Sequence, residues 1–166
     1  MLMEEKIARL LTAQKKTLCV AESCSGGLLC NRLTNIPGSS HFLKFGLVLY
    51  SNDAKIRFLK ISVPTLNKYG AVSEPVAEAM AIGCRRAASS DYALSITGIA
   101  GPTGGSPPEK PIGLVYIGLA CETGVETLRV LCGDHLTRDE IRDRSCKTAF
   151  NLLRIRLLGI DAANRS

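Results

Sequence analysis

The chain has 166 residues, 46% of them hydrophobic and 22% charged, the balance of one ordinary globular domain with a substantial core. Its formal charge of +6 suits an anionic ligand, but aromatics are only 5%, tryptophan is absent and the one dense basic segment is C-terminal, which argues against nucleic-acid binding. No apolar run approaches the roughly 20 residues of a membrane span, and the start, Met-Leu-Met-Glu-Glu-Lys, lacks signal-peptide order, so a cytoplasmic protein without a membrane partner is expected.

Glu4 to Lys15 carries Ile7, Leu10 and Leu11 on one face, the pattern of an amphipathic helix. A strand over Thr17–Ala21 then feeds a small polar loop, Glu22-Ser-Cys-Ser-Gly-Gly27, and a helix over Gly27–Asn35 that Pro37-Gly38 ends. Strand, loop and helix start is the order that aims backbone N–H groups and the positive helix end at an anion. With the hydroxyls of Ser23 and Ser25 added, the loop could hold a phosphate or an oxyanion, or present a serine nucleophile. The alternative is a plain βα turn whose glycines, Gly26 and Gly27, serve close packing.

Phe45–Tyr50 reads as a second strand, followed by short helical pieces around Asp53–Phe58 and Pro64–Tyr69, the latter stopped by Gly70. Ser73-Glu-Pro75 opens a long helix to about Ala88, with serine as N-cap and proline in the first turn. Strand Tyr92–Ile96 leads into a second glycine-rich loop, Thr97-Gly-Ile-Ala-Gly-Pro-Thr-Gly-Gly105, in which Thr97, Gly98, Ala100 and Gly101 are candidate ligand-facing residues. In an open α/β sheet, ligands settle beyond the carboxyl ends of the strands, where two such loops can converge. Neither loop has the spacing of a G-x-x-x-x-G-K-[ST] or a G-x-G-x-x-G motif.

The stretch Ser106-Pro-Pro-Glu-Lys-Pro111 is expected to be extended or disordered. Gly113–Cys121 and Glu126–Cys132 are β-rich runs joined by the hairpin signal Glu122-Thr-Gly-Val125. Thr137 with Asp139-Glu140 begins a final helix to about Leu158. The expected architecture is a single-domain α/β protein over residues 1–166, a three-layer α/β/α sandwich with a mixed sheet.

Seven cysteines are scattered without a C-x-x-C pair, and His41 and His135 make no metal spacing with them, so neither metal nor cofactor is expected. Most sit in apolar segments and read as small core residues. Cys24 adjoins Ser23, but no histidine lies nearby in sequence to make it a thiolate, and packing is expected for it too.

Several ordered blocks of the chain resemble one known family from about residue 6 to 158. They are Ala21-Glu-Ser-Cys-Ser-Gly-Gly27, Pro37-Gly-Ser-Ser40, Tyr50-Ser-Asn-Asp-Ala-Lys55, Gly70-Ala-Val-Ser73, Thr97-Gly-Ile-Ala-Gly-Pro102, Gly104-Gly105 and Lys110-Pro-Ile-Gly113. The chain is similar to the CinA C-terminal domain family, whose stand-alone members are nicotinamide-nucleotide amidases. That resemblance implies a small nucleotide substrate, nicotinamide mononucleotide, whose carboxamide is hydrolysed to nicotinate mononucleotide and ammonia in pyridine-nucleotide salvage. It implies a catalytic set at Ser23, Tyr50 and Lys55, and a homodimer or higher homo-oligomer. Ser25 departs from the threonine more usual in the family but keeps the hydroxyl.

Amide hydrolysis requires a nucleophile, a proton acceptor and an oxyanion site. With no His-Asp partner for serine, a lysine base remains, and Lys55 would have to be neutral to accept the Ser23 proton. Tyr50, five residues earlier, could relay a proton or orient the lysine, and backbone N–H groups of Cys24–Gly26 or Gly98–Gly101 are oxyanion candidates. Arg138 and Arg142, at i and i+4 near the start of the last helix, could clamp a phosphate, or could be surface charges paired with Asp139 and Asp143. Two non-catalytic functions compete with the amidase: a nucleotide-binding module that keeps both loops without turnover, and an interaction domain of the competence or DNA-damage type.

Overall fold

The structure, a computed structural model, describes residues 1–106 and 108–160. Five strands, β1 (Leu18–Glu22), β2 (Leu43–Val48), β3 (Tyr92–Gly98), β4 (Leu114–Cys121) and β5 (Gly124–Leu131), form one sheet in the order β2-β1-β3-β4-β5. The interior strand β1 pairs in parallel with both neighbours, whereas β3–β4 and β4–β5 are antiparallel, so the sheet is mixed. Burial on both faces explains why β1 reads as an unbroken apolar run up to Glu22.

The helices are α1 (Met3–Ala13), α2 (Leu28–Thr34), α3 (Asn52–Leu59), α4 (Val63–Tyr69), α5 (Glu74–Ala88) and α6 (Arg138–Leu157). Helices α1, α2 and α6 cover one face around Ile7, Leu11, Leu29, Phe150 and Leu153. Helices α3, α4 and α5 cover the other around Leu59, Leu66, Met80 and Cys84. This is the expected α/β/α sandwich. On the first face Arg32 of α2 donates to Glu4 of α1 at 3.0 and 2.9 Å and to Asp143 of α6 at 2.9 Å, tying the three helices together. The last helix starts at the capping box the sequence announces: Glu140 accepts from the Thr137 N–H at 2.7 Å, and Thr137 Oγ1 accepts from the Glu140 N–H at 3.3 Å.

Four local expectations are corrected. Strand β3 runs two residues further, because Thr97 and Gly98 pair with Tyr116 and Val115 of β4; the second loop therefore starts at Ile99. A Cβ on Gly98 would come within 2.7 Å of the Leu114 carbonyl, so that glycine permits close strand packing and not loop freedom. Strand β2 ends at Val48 instead of Tyr50, because the Leu49 and Tyr50 carbonyls turn off the ladder to accept from Lys55 Nζ. Ser73 holds the N-cap position of α5, yet its hydroxyl donates to the Gly70 carbonyl at 2.8 Å instead of capping the helix.

The fourth correction concerns the stretch over 106–111, where Pro107 lies outside the described residues. Ser106 and Lys110 exchange two backbone hydrogen bonds, of 2.6 and 2.9 Å, and form an antiparallel bridge. Lys110 Nζ then donates to the Tyr69 carbonyl at 2.7 Å, anchoring the arm to the end of α4.

Candidate active site

Because β1 and β3 are parallel neighbours, both glycine-rich loops leave the same edge of the sheet. The Ser23 N–H donates to the Ile96 carbonyl at 3.0 Å, which adds one rung to the ladder and pins Ser23 at that edge. Between the loops lies a cleft of about 280 Å³ lined by Ser23, Cys24, Tyr50, Thr97, Gly98, Arg138 and the loop from Ile99 to Gly101. It stands at the small end of the range for ligand sites. A larger groove of about 550 Å³ between α1 and Phe42 is lined by neither glycine-rich loop.

Lys55 comes from the opposite layer. Ser51 caps α3 by accepting from the Ala54 N–H at 3.1 Å, which sets the helix start and turns Lys55 inward. Lys55 is fully buried. Its Nζ lies 3.3 Å from Ser23 Oγ, 2.8 Å from the Leu49 carbonyl and 3.5 Å from the Tyr50 carbonyl. Among the described residues no carboxylate pairs with it, and burial pushes its pKa below the ordinary 10.5, opposed only in part by Cys24. A neutral amine has two N–H donors and one lone pair. Here the two carbonyls can take the donors, which leaves the lone pair for the Ser23 hydroxyl.

The first loop is built around an anion of its own. Glu22, wholly buried, accepts from the N–H groups of Gly27, Leu29 and Cys30 at 3.1, 3.0 and 2.8 Å. The positive end of α2 is thus already occupied, which corrects the expectation that it faces a ligand. The Gly26 N–H is also engaged, donating to the Ser23 carbonyl at 3.1 Å. Among the described residues, the N–H groups of Cys24 and Ser25 have no acceptor, and the buried Ser25 hydroxyl has no partner. The Ile99 N–H is spent on the Leu114 carbonyl, whereas among the described residues those of Ala100 and Gly101 have no acceptor. Thr97 lines the cleft, but its hydroxyl is tied to the Ala71 carbonyl at 2.8 Å.

The remaining candidates divide between two places. Tyr50 is exposed at the mouth, and its hydroxyl accepts from Arg138 Nη2 at 3.0 Å, so its carbonyl and not its hydroxyl is the group beside Lys55. Arg138 also donates to the Gly101 carbonyl at 2.6 Å and bridges the cleft mouth. Arg142 lies on the far side of the Ser23 loop, in a separate hollow with Ser25, Gly26, Gly27 and Asp139. Its Nε donates to the Cys24 carbonyl at 3.0 Å, so the two arginines do not share one crevice. Burial pushes the Cys24 thiol up to about 12, unsuited to a thiolate. Glu22 was not singled out by sequence reasoning; an acid directly before a Ser-x-Ser-Gly-Gly turn and a helix was the available signal. Among the described residues no group of His, Cys, Asp and Glu could hold a metal ion, and no helix is long and apolar enough to cross a membrane.

Fold and site together define an α/β domain that sets a buried serine and an unpaired lysine where two loops converge. The chain belongs to the CinA C-terminal domain family, whose model matches residues 2–157. A competence-damage inducible protein of Clostridium kluyveri is 50% identical over 159 residues, which are 94% of this chain but 37% of that protein. The chain therefore spans less than two fifths of the length of such curated relatives. Among solved structures, the competence/damage inducible protein CihA from Agrobacterium tumefaciens superposes with a TM-score of 0.88 at 40% identity, covering 94% of this chain and 95% of that one. The competence damage-inducible protein A from Klebsiella pneumoniae gives 0.90 at 29%, covering 96% and 97%.

Proposed function

We propose that this domain hydrolyses the carboxamide of nicotinamide mononucleotide, releasing ammonia and nicotinate mononucleotide, with Ser23 as nucleophile and Lys55 as base. One observation carries the proposal: a fully buried lysine, without an ion-pair partner among the described residues, sits 3.3 Å from the serine hydroxyl. Solvation favours the ammonium form of an ordinary lysine; here burial removes part of that advantage and makes the free amine easier to reach. The pyridinium charge of the substrate, entering beside Lys55, favours the neutral amine further.

In the first half-reaction Ser23 Oγ attacks the carboxamide carbon while its proton passes to Lys55 Nζ. The carbonyl oxygen becomes an oxyanion, for which the unengaged N–H groups of Cys24 and Ser25 are the nearest donors in sequence to the nucleophile. The resulting ammonium returns the proton to the amide nitrogen, the C–N bond breaks and ammonia leaves an acyl-Ser23. Water, deprotonated by the same amine, then attacks the acyl carbon; the bond to Ser23 Oγ breaks as the Lys55 ammonium returns its proton to that oxygen, and the acid leaves as its carboxylate. In this reading the phosphate meets Arg138, which lies at the mouth with Tyr50.

Ammonia release from nicotinamide mononucleotide by the purified protein tests the proposal. Turnover that is lost in Ser23→Ala is expected. A folded wild type that binds the nucleotide without releasing ammonia would make this a binding module instead.

A further inference from the structure

Arg142 lies outside the cleft and touches neither Ser23 nor Lys55, yet its Nε holds the carbonyl of Cys24, the residue directly after the nucleophile. A trans peptide is planar, and its C=O and N–H point in opposite directions. The Cys24 carbonyl shares its peptide with the Ser25 N–H, so a guanidinium that fixes the carbonyl on the outer side of the loop also fixes that N–H toward the inner side. Among the described residues the Ser25 N–H has no acceptor.

The loop also leaves room for this contact. Gly26 has φ +63°, and a Cβ there would lie 3.3 Å from Arg142 Nη2, so the glycine lets the guanidinium lie against the chain. Asp139, an exposed carboxylate, lies 3.6 Å from Nη1. A cation hydrogen-bonded to a carbonyl polarises the whole peptide and makes its N–H the stronger donor.

Resting on the amidase reading, we propose that Arg142 is a positioning residue for the oxyanion site: it acts through the Cys24–Ser25 peptide, aiming and polarising the Ser25 N–H toward the oxygen of the tetrahedral intermediate. A direct role in holding substrate phosphate is the competing possibility, and the two separate kinetically. A group that shapes the oxyanion site acts on kcat, whereas a phosphate ligand acts on KM.

The test uses Arg142→Met, which keeps the aliphatic stem, with thermal melting to confirm an unchanged fold. On nicotinamide mononucleotide, kcat is expected to fall about 100-fold with KM within about twofold of wild type. A second readout needs no nucleotide: the rate at which a small alkyl fluorophosphonate modifies Ser23, followed by intact mass. There Ser23 Oγ forms the P–O bond, fluoride leaves, the proton passes to Lys55, and the phosphoryl oxygen occupies the oxyanion position. Arg142→Met is expected to slow this step by a comparable factor. A raised KM with wild-type kcat, or phosphonylation at the wild-type rate, would overturn the proposal. If wild type releases no ammonia, the amidase reading fails by itself, and the phosphonylation ratio still decides the role of Arg142.

Discussion

Arg32 and Lys55 are sequestered cations on opposite faces of the same sheet, and their surroundings differ in one respect. Arg32 has two carboxylates, Glu4 and Asp143, and lies 5.2 Å over the Phe150 ring. Its hydrogen bonds to Glu4 push its pKa further up. Burial alone would raise the Glu4 carboxyl, but the Arg32 hydrogen bonds, the Glu4 backbone N–H and the Arg32 charge together outweigh it and hold that group below its usual value. Lys55 has two carbonyls and a hydroxyl instead, and its pKa is pushed down. A cation with counter-charges joins helices and stays charged at any working pH. One without them remains a group whose proton can come and go, at a cost in stability.

The largest expected effect falls on the group that Lys55 faces. Ser23→Ala should lower ammonia release by about 10⁴-fold or more while leaving melting and nucleotide binding nearly unchanged, because only a hydroxyl is lost. Near-normal release by this variant would remove the nucleophile from the mechanism.

Exchanging each cation for methionine breaks the comparison most cleanly. Lys55→Met should lose about 10³-fold in kcat and yet gain on the order of 1 kcal/mol in denaturant unfolding, since an unpaired buried amine gives way to an apolar side chain of similar length. Arg32→Met should keep kcat within a few-fold and lose about 3 kcal/mol, because Glu4 is left buried without its partner. Equal destabilisation by the two changes would mean that Lys55 is a structural cation like Arg32.

How much of this was legible from the chain differs between the same two regions. The βα turn, the convergence of two loops, the α6 capping box and the apolar β1 follow from local patterns, and the sequence places Ser23 at a strand end directly. Burial of Lys55 does not follow, since lysines usually face water and α3 is too short for periodicity to declare its inner face. The ends of β2 and β3 shifted because tertiary partners decide them: Lys55 draws the Leu49 carbonyl away, and β4 holds Gly98. The use of Glu22 as an internal anion for α2 depends on a loop that curls back, which spacing alone leaves open.

The pH response sharpens the contrast. The depressed Lys55 value means that, between it and the ordinary 10.5, the unfolded chain holds a proton that the folded chain does not. Raising pH through that window therefore stabilises the fold, and the effect should vanish in Lys55→Met. The Glu4 carboxyl, held below its ordinary 4.5, contributes above that value and loses its contribution as pH falls through its folded pKa. Unfolding free energies across both windows, for wild type and each methionine variant, check both signs. A slope below 10.5 that persists in Lys55→Met would assign it to another group.

The smallest effect belongs to Cys24. With its thiol pushed up to about 12, Cys24→Ala should keep kcat within a few-fold of wild type. A folded but inactive Cys24→Ala would transfer the nucleophile to the thiol.

The role of Lys55 as a neutral base is tested most directly by kcat for ammonia release from nicotinamide mononucleotide between about pH 6 and pH 10, for wild type and Lys55→Arg. Arginine keeps the charge and cannot give up its proton in this range. Wild-type kcat should rise with pH through the depressed lysine pKa and then level, while Lys55→Arg stays inactive throughout. An active Lys55→Arg with the wild-type pH profile would contradict the account and place the base elsewhere.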